Sequence, residues 1–448
     1  MKNIMLNLFS ENYYLIPSDR IYIQNKFQKI TYGEIQHSIS EFREQHPYLV
    51  GKNCALLSSS RFELAKQLPL IASVANKIFL QPQCLNDEVV EEFYSKGNIE
   101  YVISISHDVI NVLKIADIAI TNKSQQEWLL STSGTTGTPK LVSYNVVSLM
   151  KTSKKDLAKG LIYNWGLCYD LNRFAGIQVY LQAIASGSSL TISESAEDLN
   201  FIVNLFTDKE VNCLSATPSF WRKVLMTKDS NTLPLRRITL GGEIADQTIL
   251  DSLKRFFIDA IIIHIYASTE AGVGFSVKDS KAGFPYEYLE TSKLASIELK
   301  IVENILWIKS DRGADNILNG TLEVDNEGFV KTGDIVEVIN DRVLFVGRDS
   351  GTINVGGNKV IPEEIESLLN CHPEVIQSKV FGKKNPVLGM LVNAEVVSKK
   401  TLKQDETKVF KKELIDFCKG KLAPYKIPAM IKFVDSIAVN ESGKIVRK

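Results

Sequence analysis

This sequence has no net charge, no cysteine pairing pattern, no histidine cluster and no apolar run long enough to cross a bilayer. Lysine and arginine together number 52, and so do aspartate and glutamate, so no global field draws the chain to nucleic acid or an acidic membrane. The six cysteines (Cys54, Cys84, Cys168, Cys213, Cys371 and Cys418) are scattered without a CxxC pair. That argues against a zinc site or a disulfide framework and fits thiols in a reducing compartment. The five histidines are equally dispersed and offer no metal-ligand spacing. The stretch Met1-Lys2-Asn3-Ile4-Met5-Leu6-Asn7-Leu8-Phe9 lacks the long apolar core and small-residue cleavage site of a secretory leader. Neither a nucleic-acid nor a membrane partner is expected, and a cytoplasmic location is.

The chain has 448 residues, of which 44% are hydrophobic and 23% charged, a composition that suits a globular enzyme of two or three domains. Thr31 followed by Glu34 predicts a capping box opening an amphipathic helix through Phe42. Short apolar runs within 51–58, 77–80 and 100–105 read as strands, and 61–75 has helical spacing. Strands alternating with helices predict an α/β fold with parallel sheet. The stretch Tyr169-Asp170-Leu171-Asn172-Arg173-Phe174 precedes a helix through Ala185. Asp170 reads as its cap, and Phe174 as core packing or as a pocket wall. Residues 295–308 alternate like a strand.

The chemistry is concentrated in Thr132-Ser133-Gly134-Thr135-Thr136-Gly137-Thr138-Pro139-Lys140, directly after the apolar run Trp128-Leu129-Leu130. Two glycines allow a tight turn and close approach to a ligand, five hydroxyls follow one another, and Lys140 closes the run. A polyphosphate needs such donors, already placed and cheap to reorganise. The spacing is not that of the Walker loop. Four further motifs follow in order. Gly241-Gly242-Glu243 ends one apolar run, and Tyr266-Ala267-Ser268-Thr269-Glu270 ends another. Lys331-Thr332-Gly333-Asp334 reads as a tight turn, with Val346-Gly347-Arg348 shortly after it. Last comes Asn440-Glu441-Ser442-Gly443-Lys444-Ile445.

Taken together, these motifs resemble the adenylate-forming superfamily, which includes acyl-CoA synthetases, adenylation domains of peptide synthetases and luciferases. The resemblance covers nearly the whole chain. It implies a large N-terminal domain of parallel-rich sheets with helices plus a small β-rich subdomain, residues 1–348. It also implies a small, mobile α+β C-terminal domain, residues 349–448, joined by a hinge. By the same resemblance, Thr132, Ser133, Gly134, Thr135, Thr136, Gly137 and Lys140 hold the ATP phosphates. Gly241, Gly242 and Glu243 border the adenine and the acyl pocket, Tyr266 lies against adenine, Thr269 bonds the α-phosphate, and Glu270 holds Mg2+. Asp334 and Arg348 bind the ribose, Gly356 and Gly357 line a pantetheine tunnel, and Lys444 is the mobile catalytic lysine. The chain departs from the family at Ala267, where glycine is usual, and at Ser350, which takes the hinge position of an Asp or Lys.

The expected activity is ATP-dependent conversion of a carboxylic acid to an acyl-adenylate, followed by thioester formation with CoA. One alternative loads the acid onto the phosphopantetheine of an acyl carrier protein, which the lysines between Lys408 and Lys421 could meet. A second activates an amino acid whose ammonium pairs with Asp170. A third, from a different class, is a nucleotide-binding homologue without ligase chemistry, against which the presence of both Glu270 and Lys444 argues.

Overall fold

The computed structural model describes residues 15–106, 109–118, 125–132, 139–290, 294, 296–386, 388–440 and 444–446. Four sheets organise them. The first has eight strands, in the spatial order Gly272–Val277, Ile261–Ser268, Arg237–Gly241, Cys213–Ala216, Asn164–Leu167, Ser189–Ile192, Ile21–Gln24 and Lys29–Thr31. Only its outermost strands pair antiparallel. The second has seven strands with Lys77–Leu80 at its centre, and Asn53–Ser58 beside it runs parallel to both Lys77–Leu80 and Tyr101–Ser106. Parallel strands need crossovers, and helices such as Arg61–Ala72 and Phe174–Ala185 supply them. Because helices cover their faces, these strands are buried on both sides: all four residues of Lys77–Leu80 and of Ser189–Ile192 are buried.

One hydrophobic cluster spans both large sheets, from Tyr22 and Leu190 to Trp128 and Ile103. Inside it the Tyr22 and Tyr180 hydroxyls bond to each other at 2.5 Å. The expected capping box is present: the Thr31 hydroxyl accepts the Glu34 N–H at 3.2 Å, and the Glu34 carboxylate accepts the Thr31 N–H at 2.7 Å.

The third sheet is a five-stranded antiparallel unit with its own core around Phe275, Phe284 and Val343. Two expectations are corrected here. The stretch read as one alternating strand is a hairpin, Ile297–Val302 with Ile305–Ser310, which turns at Glu303 and Asn304 with φ of 49° and 61°. Thr332-Gly333-Asp334 is not a hairpin tip. It lies inside the strand Val330–Ile339, where Gly333 at φ 74° kinks the strand. The turn to Arg342–Arg348 comes at Asn340, whose φ is 54°.

After a single 3-10 turn at Asp349–Gly351, the fourth sheet begins. It combines Ile353–Val355, Asn358–Val360, Val375–Asn385, Gly389–Ser398 and Met430–Phe433 with the helices Pro362–Asn370 and Gln404–Cys418, over a separate core. Pro362 occupies the first turn of its helix, where its missing N–H costs nothing. Among the described residues, no helix is long and apolar enough to cross a membrane.

Candidate active site

The expected phosphate loop spans the tip of a hairpin. Strands Glu127–Ser131 and Leu141–Asn145 pair antiparallel, and residues 132–140 join them. At the base, the Thr132 N–H donates to the Lys140 carbonyl, and the Lys140 N–H donates to Thr132 Oγ1, both at 2.9 Å. Ser133, Gly134, Thr135, Thr136 and Gly137 lie outside the described residues. Two residues missed in the sequence hold this base. Asn319 Oδ1 accepts the Leu141 N–H at 2.5 Å, while its Nδ2 donates to the Pro139 carbonyl at 3.0 Å. The buried Arg173 guanidinium donates to Ser131 Oγ and to the Thr132 carbonyl, each at 3.2 Å. An arginine in an apolar stretch was a visible signal for Arg173, whereas nothing near Asn319 in the sequence points to its role.

Asp334 and Arg348 form an ion pair with Nε to Oδ1 at 3.0 Å, and Arg348 also donates to the Thr332 carbonyl at 2.7 Å. The neighbouring carboxylate pushes the Arg348 pKa up, ahead of the opposing effect of burial. Tyr266 donates its hydroxyl to Asp334 Oδ2 at 2.6 Å. Its ring lies parallel to Phe275 and Phe345, with centroids 5.3 and 5.1 Å away. Burial, then the Asp334 charge, drives the Tyr266 pKa well above the usual phenol value, so it stays a neutral donor.

Thr269 and Glu270 follow the strand Ile261–Ser268, at the end where the parallel strands leave their ligand crevice. Their backbone is pinned: the Tyr144 hydroxyl donates to the Thr269 carbonyl at 2.7 Å, and the Ala314 N–H donates to the Glu270 carbonyl at 3.0 Å. Phe174 is buried against Tyr144, stacked at 5.6 Å, so it packs behind this backbone. Among the described residues, no group of three or more acidic, histidine or cysteine side chains could cage a metal. A lone carboxylate suits Mg2+, which takes one or two carboxylates together with substrate phosphates.

The C-terminal hairpin reaches into this crevice. Asn440 N–H donates to the Lys444 carbonyl at 2.8 Å, and Asn440 Oδ1 accepts the Lys444 N–H at 3.1 Å. Lys444 Cε comes within 3.3 Å of where a Cβ on Gly242 would sit, and Gly242 itself has φ of 83°. The positive φ favours glycine there, and a side chain would press on Lys444. Burial lowers the Lys444 pKa and Arg348 adds to the effect, while Glu243, Asp334 and Glu270 oppose it. Those four charges come from three separate motifs, so the structure gathers Gly242, Glu243, Glu270, Asp334, Arg348 and Lys444 at one place. Glu243 has defined partners there: Oε2 accepts the Ser219 N–H at 2.9 Å, and Oε1 accepts the Ile445 N–H at 3.1 Å. The preceding glycine, Gly241, ends the strand Arg237–Gly241 opposite Ile265.

Two expected residues stand elsewhere. Gly356 and Gly357 form the exposed tip between Ile353–Val355 and Asn358–Val360, and a Cβ on Gly357 would meet no atom within 4 Å. They flank an open depression of about 790 Å³ lined in part by Asn354, Lys384 and Leu388. Asp170 is not a helix cap, because Arg173 holds the N-cap position of Phe174–Ala185 and makes no side-chain cap bond. The Asp170 carboxylate instead accepts from Arg61 Nε at 2.7 Å and from Ser195 Oγ at 2.9 Å. Its charge is thus already paired.

Comparison with known proteins agrees with this geometry. Residues 83–304 match the family model described as AMP-binding enzyme, and residues 364–444 match the AMP-binding enzyme C-terminal domain. The chain is 25% identical over 484 aligned residues to a 2-succinylbenzoate–CoA ligase of Bacillus cytotoxicus, covering 99% of this chain and 98% of that one. It is 26% identical over 359 residues to the 4-coumarate–CoA ligase-like 3 protein of Arabidopsis thaliana, covering 73% and 63%. Among solved structures, the anthranilate CoA ligase bound to anthranoyl-AMP superposes with a TM-score of 0.78 at 16% identity, over 99% of this chain and 95% of that one. The o-succinylbenzoate CoA synthetase of Bacillus subtilis with its acyl-adenylate gives 0.71 at 21% identity, over 98% and 97%.

Proposed function

We propose that this chain, which belongs to the adenylate-forming superfamily of AMP-binding enzymes, activates an aromatic carboxylic acid with ATP and transfers the acyl group to CoA. It is an AMP-forming acid–thiol ligase. The observation that carries the reading is Lys444, delivered by the C-terminal hairpin into a crevice that holds Glu243, Glu270, Asp334 and Arg348. The aromatic substrate class rests on relatives named for 2-succinylbenzoate and 4-coumarate, and 2-succinylbenzoate is the first acid to test.

The first half-reaction joins a carboxylate oxygen to the α-phosphorus of ATP and expels pyrophosphate. Two anions must approach, so catalysis is mainly positioning and charge neutralisation. The loop 132–140 receives the β- and γ-phosphates, Asp334 and Arg348 fix the ribose, and Thr269 faces the α-phosphate. The Lys444 ammonium bridges the carboxylate and the α-phosphate. Glu270 would hold Mg2+, which when bound offsets pyrophosphate charge. In the second half-reaction the thiol sulfur attacks the acyl carbon and AMP leaves. Lys444 has no part in that step, and the exposed Gly356-Gly357 tip replaces it after rotation about a hinge at 349–352. We place both steps in the cytoplasm.

CoA is favoured over a carrier protein as acceptor because the relatives are named as CoA ligases. The test is pyrophosphate release with a panel of aromatic and aliphatic acids, followed by thioester formation with CoA. Release with an aromatic acid is expected. Release confined to aliphatic acids would overturn the substrate class, and none with any acid would overturn ligase activity.

A further inference from the structure

Among the described residues, polar contacts join the C-terminal unit to the rest of the chain, and two of them converge on neighbouring residues. Ser219, near the start of the helix Pro218–Val224, uses its hydroxyl and its backbone separately. The hydroxyl accepts from Gln377 Nε2 at 2.8 Å, and the N–H donates to Glu243. Glu243 then accepts the Ile445 N–H, one residue past Lys444. Gln377 and Ser219 are both buried, at 2% and 4% exposure. The remaining contacts are weaker, Lys223 Nζ to the Ile437 carbonyl at 3.4 Å and Thr248 Oγ1 to Cys371 Sγ at 3.6 Å. Beside Gln377 the two units flank an open groove of about 290 Å³ lined in part by Leu199, Met226 and Ile437.

Apolar attraction between two units is non-directional, so the polar bonds across their contact decide which seating is adopted. A buried amide with a single matching partner penalises every other seating, since it would lie unpaired there. We propose that Ser219 and Glu243 form a two-point latch, engaged by Gln377 and by the Ile445 N–H, that seats the C-terminal unit with Lys444 in the crevice and thereby favours acyl-adenylate formation over thioester formation. Gln377 and Ser219 are positioning residues: the Gln377 side chain bonds Ser219 rather than a crevice charge, and Ser219 reaches Glu243 through its backbone N–H alone. The kinetic half of this inference rests on the proposed ligase reading.

An activity-independent readout exists in the Thr248–Cys371 contact. In T248C a thiol faces the native Cys371, and diamide oxidises the pair to a disulfide only while the units are docked. T248C/C371S is the control for other thiols. Adding Gln377→Ala, or Ser219→Ala as a second and gentler variant, is expected to slow cross-linking about fivefold, the size of one neutral hydrogen bond. In parallel, Gln377→Ala in the otherwise native chain is expected to slow pyrophosphate release by a similar factor. It should leave thioester formation from synthetic acyl-adenylate and CoA unchanged. Unchanged cross-linking in both variants overturns the latch, and so does equal loss in both half-reactions. If the parent chain releases no pyrophosphate with any acid, the ligase reading fails while the cross-linking rates still decide the latch.

Discussion

Asp334 and Arg348 stand directly opposite each other in the antiparallel ladder of the third sheet, with carboxylate and guanidinium 3.0 Å apart. The kink at Gly333 aims the aspartate at the crevice, and Tyr266 donates to its other oxygen. Two positions 14 residues apart are thus locked before any nucleotide arrives. Asp334→Asn keeps the shape but removes the charge that Arg348 faces, and it turns an amide toward groups that need an acceptor. The expected result is an ATP KM raised about tenfold or more, the equivalent of about 1.4 kcal/mol, with a smaller effect on the KM for acid. Steady-state kinetics with each substrate varied in turn checks this.

Lys444→Ala removes a cation that the C-terminal hairpin brings to the crevice charges. Loss of a single preorganised electrostatic contact costs about 10²- to 10³-fold in rate, and that loss is expected in pyrophosphate release. Thioester formation from synthetic acyl-adenylate is expected to persist. Comparable loss in both assays would contradict the two-pose scheme.

Glu270→Gln leaves the strand end and its backbone bonds to Tyr144 and Ala314 intact, because those bonds use carbonyls rather than the side chain. The variant is expected to fold with an unchanged melting temperature and to need more Mg2+ for half-maximal turnover. An unchanged Mg2+ dependence would show that another group holds the ion.

Asp170→Ala is expected to act on stability whatever the substrate. Its carboxylate neutralises Arg61, and the two side chains are 14% and 10% exposed. Deleting one partner of such a pair costs about 3 kcal/mol, because the other charge stays buried. A lowered urea midpoint, recovered in part by adding Arg61→Met, is the expected result. An undiminished midpoint in the single variant would show that the pair contributes nothing.

His264 gives a pH dependence with a definite sign. Burial pushes its imidazole down to about 4, and its Nε2 finds no hydrogen-bond partner among the described residues. As pH falls from the ordinary value of about 6.5 toward 4, the unfolded chain takes up a proton that the folded one refuses. Stability therefore falls over that window, by about 2 kcal/mol between pH 7.5 and pH 5. Urea unfolding at the two pH values checks it, and His264→Gln is expected to reduce the difference by that amount.

Features set by residues within one turn of each other were legible in the sequence. The Thr31–Glu34 capping box and Pro362 at a helix start are examples, since local bonds alone define them. The parallel sheets were legible in strands that alternate with helices, because parallel neighbours need a crossover between them. Thr332-Gly333-Asp334 was misread because a glycine with positive φ serves a strand kink as well as a turn, and neighbouring residues do not distinguish them. Asp170 was misread because its partner, Arg61, is 109 positions away. Asn319 reaches the phosphate-loop base across 178 positions, and Gln377 meets Ser219 across 158. Such pairings depend on how whole sheets dock, which no short window of sequence contains.

The crevice is built in two parts of different permanence. The Asp334–Arg348 pair and Phe345 belong to the third sheet, packed against Tyr266 and Phe275 of the first, whereas Lys444 comes in on a hairpin held by a few polar bonds. On the proposed ligase reading, the ribose contacts are a property of the packed sheets, and the commitment of bound nucleotide to chemistry is a property of the hairpin. Substitutions along the domain contact can change how often a bound ATP reacts before it dissociates, at constant ATP affinity. The two quantities can drift independently as the enzyme adapts to a scarcer or more abundant acid.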